Sequence, residues 1–182
     1  DSELADRPVR SDDLDAAAAV LDPGPTDHDR RRRRIDWLEW QVRAYHALED
    51  LLQPPYGDWA VVLRDQPGVV VGVVGYTPCL MPFGRLPWFS TRQWRPVERR
   101  FTAEVGLHWS IHPDHRGRGY ATEAGRALIA NGFGPMELAR IVATTTHDNK
   151  ASVAVMERLG MTVERNPFPD PFWFQVVGIL EP

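Results

Sequence analysis

The 182-residue sequence predicts an α/β domain, and three observations carry that prediction. Two Val-rich apolar runs, Trp59–Arg64 and Val69–Tyr76, are separated by a short polar turn. An alternating strand at Glu104–Ile111 leads through the Gly-rich turn His115-Arg116-Gly117-Arg118-Gly119 into a helical stretch. From Arg140 onward strand, helix and strand succeed one another, an order that calls for a parallel element in the sheet. No repeat, low-complexity tract or Gly/Ser linker divides the chain, so residues 1–182 read as a single domain. A chain of this length buries roughly 70% of its unfolded surface and needs no disulfide or metal to hold it.

Each element has its own signal. Ser11 is placed as an N-cap with Asp12 and Asp13 in the first turn, and the helix ends at Leu21 before Asp22-Pro23-Gly24-Pro25. A longer helix follows, with Leu38, Val42, Tyr45, Leu48 and Leu52 along one face and Pro54-Pro55 as its stop. Asp65-Gln66-Pro67-Gly68 joins the next two strands as a hairpin. Leu80–Arg100, with Pro82, Gly84, Pro87 and Pro96, reads as a long irregular stretch of the kind that serves function. Its Trp88 and Trp94 either pack on the core or line an acceptor pocket. Along Glu104–Ile111 the residues Val105, Leu107, Trp109 and Ile111 share one face, and Glu104, Gly106, His108 and Ser110 the other. A helix over Tyr120–Asn131, a strand over Arg140–Thr145 and a helix over Lys150–Leu159 come next. Gly160 closes the last helix, and two strands follow near Thr162 and over Phe174–Leu180.

Composition narrows the function. Apolar residues make up 43% and charged residues 25%, with seven Trp and seven Phe, which is a globular balance. The single cysteine, Cys79, excludes an intramolecular disulfide and a multi-Cys zinc site, and is expected as a small buried apolar residue. No apolar run approaches the roughly 18–20 residues that cross a bilayer. The N-terminal Asp1–Arg7 lacks a signal-peptide layout and does not start with Met, so the chain reads as trimmed and cytoplasmic. A net charge of −4 argues against nucleic acid as a partner. The run Arg30–Arg34 could dock RNA or a ribosome, but Asp27 and Asp29 beside it favour a solvated helix start.

The chemistry resides in the turn after Ile111. Gly117 and Gly119 lack a Cβ, so successive backbone N–H groups can face a close ligand. The helix that follows adds its own unpaired N-terminal N–H groups and positive dipole end. Together they suit a diphosphate. A Walker loop would need a Lys that this turn lacks. A dinucleotide fingerprint fails at Thr122, its third small position, and at Val142, near its ribose-binding acid.

What the turn matches is R-x-x-G-x-A, as Arg116-Gly117-Arg118-Gly119-Tyr120-Ala121. Around it stand Trp109-Ser110-Ile111-His112-Pro113, then Thr122-Glu123-Ala124, Arg140-Ile141-Val142-Ala143-Thr144 and Asn149-Lys150-Ala151-Ser152. Val155-Met156-Glu157-Arg158-Leu159-Gly160-Met161 completes the set. These ordered blocks over residues 104–161 resemble the GNAT acetyltransferase superfamily, and within it the ribosomal-protein N-terminal acetyltransferases. The resemblance implies a mixed, mostly antiparallel sheet splayed between its fourth and fifth strands, with helices on both faces. It implies acetyl-CoA as co-substrate, no metal, and direct attack by an amine in a ternary complex. Main-chain N–H groups of Arg116, Gly117, Arg118, Gly119, Tyr120 and Ala121 would hold the diphosphate. The pantetheine arm would pair with backbone near Trp109 and Ile111, and Asn149 and Ser152 would face its thiol end. The acceptor would be a protein N-terminus or a small-molecule amine such as a polyamine or aminoglycoside. Homodimers are common in this branch.

An alkylammonium must lose a proton before it attacks, since its unperturbed pKa lies near roughly 10. Glu104 is the candidate base, with His108 the alternative. Many members of the superfamily carry a Tyr as acid where this chain has Met156, which cannot donate a proton. In the ribosomal-protein branch a Ser at the position of Ser152 has that role proposed for it. Met156 also supports a rival reading, a non-catalytic acyl-CoA sensor or interaction module.

Overall fold

The computed structural model describes residues 3–25, 27–54, 56–91 and 101–182. Its strands are β1 (Leu4–Pro8), β2 (Asp58–Leu63), β3 (Val70–Met81), β4 (Thr102–Ile111), β5 (Ile141–Thr145), β6 (Thr162–Arg165) and β7 (Val176–Leu180). They form one sheet in the order β1-β2-β3-β4-β5-β7-β6. The β1–β2, β2–β3, β5–β7 and β6–β7 pairs are antiparallel and β4–β5 is parallel, the mixed sheet expected. Five α-helices flank it among the described residues: α1 (Leu14–Leu21), α2 (His28–Asp50), α3 (Pro87–Ser90), α4 (Tyr120–Phe133) and α5 (Lys150–Arg158). Contacts group the chain into two compact units, Asp1–Tyr76 with Trp109–Leu128 and Thr77–His108 with Ile129–Pro182.

The first unit opens with β1, a strand the sequence reading lacks. Its core carries Asp6 and Arg7 and it ends in Pro8, so pairing with β2, from Leu4↔Leu63 to Pro8↔Trp59, makes it a strand. As the sheet's edge it tolerates proline. The next helix starts at Leu14, not at Ser11. Asp13 fixes that entry: its two oxygens accept from the Arg7 guanidinium at 2.7 Å each, and Oδ2 also accepts from Arg10 N at 2.7 Å. Along α2, Asp27 caps the first turn by accepting from Arg30 N. Arg34 grips Asp22 through two bonds of 2.8 and 3.0 Å, and Arg31 meets Asp15 at 2.9 Å. With the Arg30 guanidinium 3.9 Å from Asp27 as well, three of the five arginines in the run face acids of the same unit. Leu38 and Gln41 are the buried residues of α2, whereas Leu52 lies beyond its end and is 90% exposed. A polar pin, absent from the apolar periodicity, seats the helix. Trp37 Nε1 and Gln41 Nε2 both donate to Asp58 Oδ2, and Asp58 N donates to Gln41 Oε1. Pro55 lies outside the described residues.

Asp6 yields a pH prediction. Burial, then the Glu123 charge, push its carboxyl up to about 6 against the opposing pull of Arg64. Its Oδ1 is buried without a hydrogen-bond partner among the described residues. The folded state therefore holds the proton more tightly than the unfolded chain, whose Asp titrates near roughly 3.9. Stability falls as pH rises between those values and stays lowered above the upper one. Asp6→Asn should raise stability by about 1 kcal/mol at pH 7.5, solvent screening included, and add nothing at pH 3.5. Thermal melts at the two pH values check this; an equal gain at both would sink it.

The second unit is built on aromatic packing. Cys79, Phe83, Leu86, Phe89, Val142, Phe174, Val177 and Ile179 form its core, with Met81 and Trp88 against it. This corrects the expectation of an irregular segment after Leu80. There β3 continues to Met81, a 3₁₀ turn covers Phe83–Arg85, and α3 follows. Phe83, Leu86 and Phe89 recur every third residue, the spacing of a tight helical turn, and all three are buried. Trp88 packs on that core, and its backbone N donates to both Glu164 oxygens at 3.0 Å. Trp94, Pro96 and Arg100 lie outside the described residues. Cys79 is buried as expected, and burial, then the nearby Glu104 charge, push its thiol up to about 11. It stays protonated at neutral pH and is no nucleophile.

Candidate functional site

In the first unit, β4 ends at Ile111 and the chain turns at His112, whose Nδ1 accepts from Asp114 N at 3.2 Å. A 3₁₀ turn over Pro113–His115 hands on to Arg116 in extended geometry. Gly117 and Gly119 then adopt φ of +76° and +86°, the left-handed region that side chains with a Cβ resist. A Cβ built on either glycine would meet no protein atom within 4 Å. Gly119 O is taken by Thr122 N and Glu123 N at 2.9 and 3.0 Å, the start of the α4 ladder. The Arg116 N–H, expected among the diphosphate donors, instead donates to Pro113 O at 3.3 Å and closes the 3₁₀ turn, whereas among the described residues the N–H groups of residues 117–121 donate to no backbone carbonyl.

Among the described residues these are five consecutive N–H groups with no backbone acceptor, two of them at a helix start, a donor set of the kind that suits an anion. The Arg116 side chain turns back instead: Nε donates to Ile111 O at 3.0 Å and latches the turn to the strand end. Arg118 is exposed and reaches Asp114 O at 3.4 Å. Ile111 is buried and Trp109 half-buried. The Tyr120 ring is buried, lies 6.5 Å from that of His115 and stacks on it at 27°.

In the second unit, Glu104 and Arg140 form a bidentate pair, Oε2–Nε 2.9 Å and Oε1–Nη2 2.7 Å. The parallel strands register at Gly106↔Val142, and each partner of the pair stands two residues before its registered residue. That register, which no local pattern encodes, is why Arg140 was not visible as a site residue from sequence. The Glu104 side chain is 8% exposed and that of Arg140 26%. The Arg140 guanidinium also lies 5.0 Å from the Trp88 and Phe89 ring centroids, and 3.8 Å from a Glu181 oxygen. The fork geometry and the low exposure of the carboxylate are those of a charge-assisted, bidentate pair. His108 is half-buried on the same strand.

Asn149 caps α5, its Oδ1 accepting from Ser152 N at 3.1 Å. The Ser152 side chain is half-buried at the first turn of that helix. Met156 is fully buried, and a Cβ on Gly178 would come within 3.1 Å of it, so this position is part of the core. Among the described residues no group of three or more His, Cys, Asp or Glu is placed to hold a metal ion. No helix of the described residues is long and apolar enough to cross a membrane.

Known proteins resemble the chain in sequence and in fold. Residues 4–162 match a family model described as an acetyltransferase (GNAT) domain. Over 63 residues, 35% of this chain, the sequence is 41% identical to the uncharacterized N-acetyltransferase YnaD of Bacillus subtilis. The match spans 36% of that relative's length, and 62% of the length of a second Bacillus subtilis relative. An acetyltransferase structure from Agrobacterium tumefaciens superposes with a TM-score of 0.67 at 23% identity, covering 98% of this chain and 91% of that one. The ribosomal-protein-S5-alanine acetyltransferase of Vibrio fischeri does so with a TM-score of 0.60 at 15% identity, covering 100% and 94%. At these identities the two structures show a shared fold.

Proposed function

The chain belongs to the GNAT acetyltransferase family, and from that premise we propose that it transfers the acetyl group of acetyl-CoA to a primary amine. The observation that carries the reading is the run of five open N–H groups at residues 117–121. They offer the diphosphate of CoA a pre-formed set of donors. Arg116 latches that set in place, backbone near Trp109 and Ile111 serves the pantetheine arm, and Asn149 and Ser152 serve its thiol end. The acceptor is a protein N-terminus or a small-molecule amine, and the reaction is placed in the cytoplasm with no metal.

The chemistry follows from charge. A carboxylate offers about four lone-pair directions, and the Arg140 fork occupies two on Glu104. Glu104 takes the ammonium proton on one of the others, with Arg140 orienting it. The freed amine nitrogen attacks the thioester carbon, and the first proton leaves Glu104 for solvent. The C–S bond breaks as the intermediate collapses, and the departing thiolate takes up the second proton that nitrogen loses. Ser152 is the candidate to hand that proton on.

A sensor role is favoured by one observation, the buried Met156, which cannot donate a proton, at the position where the resemblance to the superfamily implies a Tyr acid. Calorimetry with CoA, followed by CoA release with a panel of amines, separates the readings. Saturable binding and turnover on at least one amine are expected. Tight binding without turnover on any amine supports the sensor, and absence of binding removes the cradle.

A further inference from the structure

The first turn of α4 is tied to the head of β1. Tyr120 is the first residue of α4, and its own N–H is one of the open donors. Its side chain is buried, and the hydroxyl donates to Glu3 Oε2 at 3.1 Å. Three residues on, Glu123 Oε1 accepts from Leu4 N at 3.4 Å. Two adjacent residues at the head of β1 thus hold two points on the first turn of α4, across more than a hundred residues of chain. The Tyr120 ring is further fixed by its stack on His115, whose Nδ1 is buried without a partner among the described residues.

A carboxylate in this place is electrostatically unhelpful. The cradle is built to attract negative charge, and Glu3 adds negative charge to its support. Its contribution must then come from geometry. Donors aimed in advance bind an anion without reorganising, and a loop with two left-handed glycines has little stiffness of its own. We propose that Glu3, acting through the Tyr120 hydroxyl, is a positioning residue for the diphosphate cradle, so that β1 sets part of the affinity for acyl-CoA. The proposal rests on the reading that residues 117–121 hold the diphosphate.

The two interpretations of Glu3 separate cleanly. Glu3→Gln removes the charge and keeps an acceptor for the hydroxyl; Glu3→Ala removes both. Positioning predicts that Glu3→Ala and Tyr120→Phe each weaken CoA binding about 3–10-fold by calorimetry on the full chain. It predicts that Glu3→Gln stays within about twofold of the wild type, and that Glu3→Ala/Tyr120→Phe is no weaker than either single change. In steady state Glu3→Ala should raise KM for acetyl-CoA while its kcat stays near the wild-type value, a split that general loss of folding would not give. Thermal melts confirm that each variant is folded, and Tyr120→Phe keeps the ring that packs on His115. If the wild type binds CoA and both Glu3 variants bind it more tightly, or all variants bind it equally, the positioning role is overturned and the cradle stands. If the wild type fails to bind CoA, the cradle itself is wrong and this inference goes with it.

Discussion

Gly119→Val should raise the Kd for CoA at least about 100-fold, equivalent to roughly 2.7 kcal/mol. At φ +86° a β-branched residue is strained, by about 1–2 kcal/mol. The surroundings are open at this point, because a Cβ here meets no protein atom within 4 Å. The fold therefore pays only the backbone strain, while the ligand loses both the space and the aim of neighbouring N–H groups. Gly160 supplies the control. It has φ +81°, open surroundings and a place just past the end of α5, outside the cradle. Gly160→Val should lower the melting temperature by a similar amount and leave CoA affinity unchanged. Unaltered CoA binding in Gly119→Val would show that the turn has been misassigned.

That turn was legible in the sequence because its signals are local. Two glycines at a strand–helix junction, and a helix start directly after them, need no knowledge of the rest of the chain. The strands from β2 onward and helices α2, α4 and α5 were legible for the same reason, each carrying its own periodicity. What escaped was set by partners far away in sequence. The strand at Leu4–Pro8 exists through its pairing with β2, and the helix entry at Leu14 depends on Arg7 holding Asp13. The segment after Leu80 reads as irregular because Pro82, Gly84 and Pro87 interrupt any longer period, while Phe83, Leu86 and Phe89 fill a core made with residues far along the chain. The same limit hid Arg140. A carboxylate on a strand suggests chemistry, but only the register of the parallel pair shows which cation faces it.

The pair so revealed should give the other large effect. Glu104→Gln is expected to lower kcat by about 10²–10⁴, the usual loss for a general base. Because the missing step is deprotonation of the amine, the deficit should shrink as pH is raised toward the amine's own pKa near roughly 10. Arg140→Met acts differently. It leaves the Glu104 side chain, 8% exposed, as an uncompensated buried anion and should cost about 3–5 kcal/mol of stability. Exposed pairs cost no more than about 1 kcal/mol. Glu104→Gln should cost less than Arg140→Met, because Gln still accepts from the guanidinium, Arg140 is 26% exposed and Glu181 stands 3.8 Å from it. Rates must be compared well below the melting temperature of each variant, so that unfolding does not imitate a catalytic loss. Near-normal turnover of Glu104→Gln at neutral pH would remove the base role and leave the pair as a clamp between β4 and the start of β5. A deficit that persists undiminished at high pH would also count against proton abstraction, because the free amine would then be present without help.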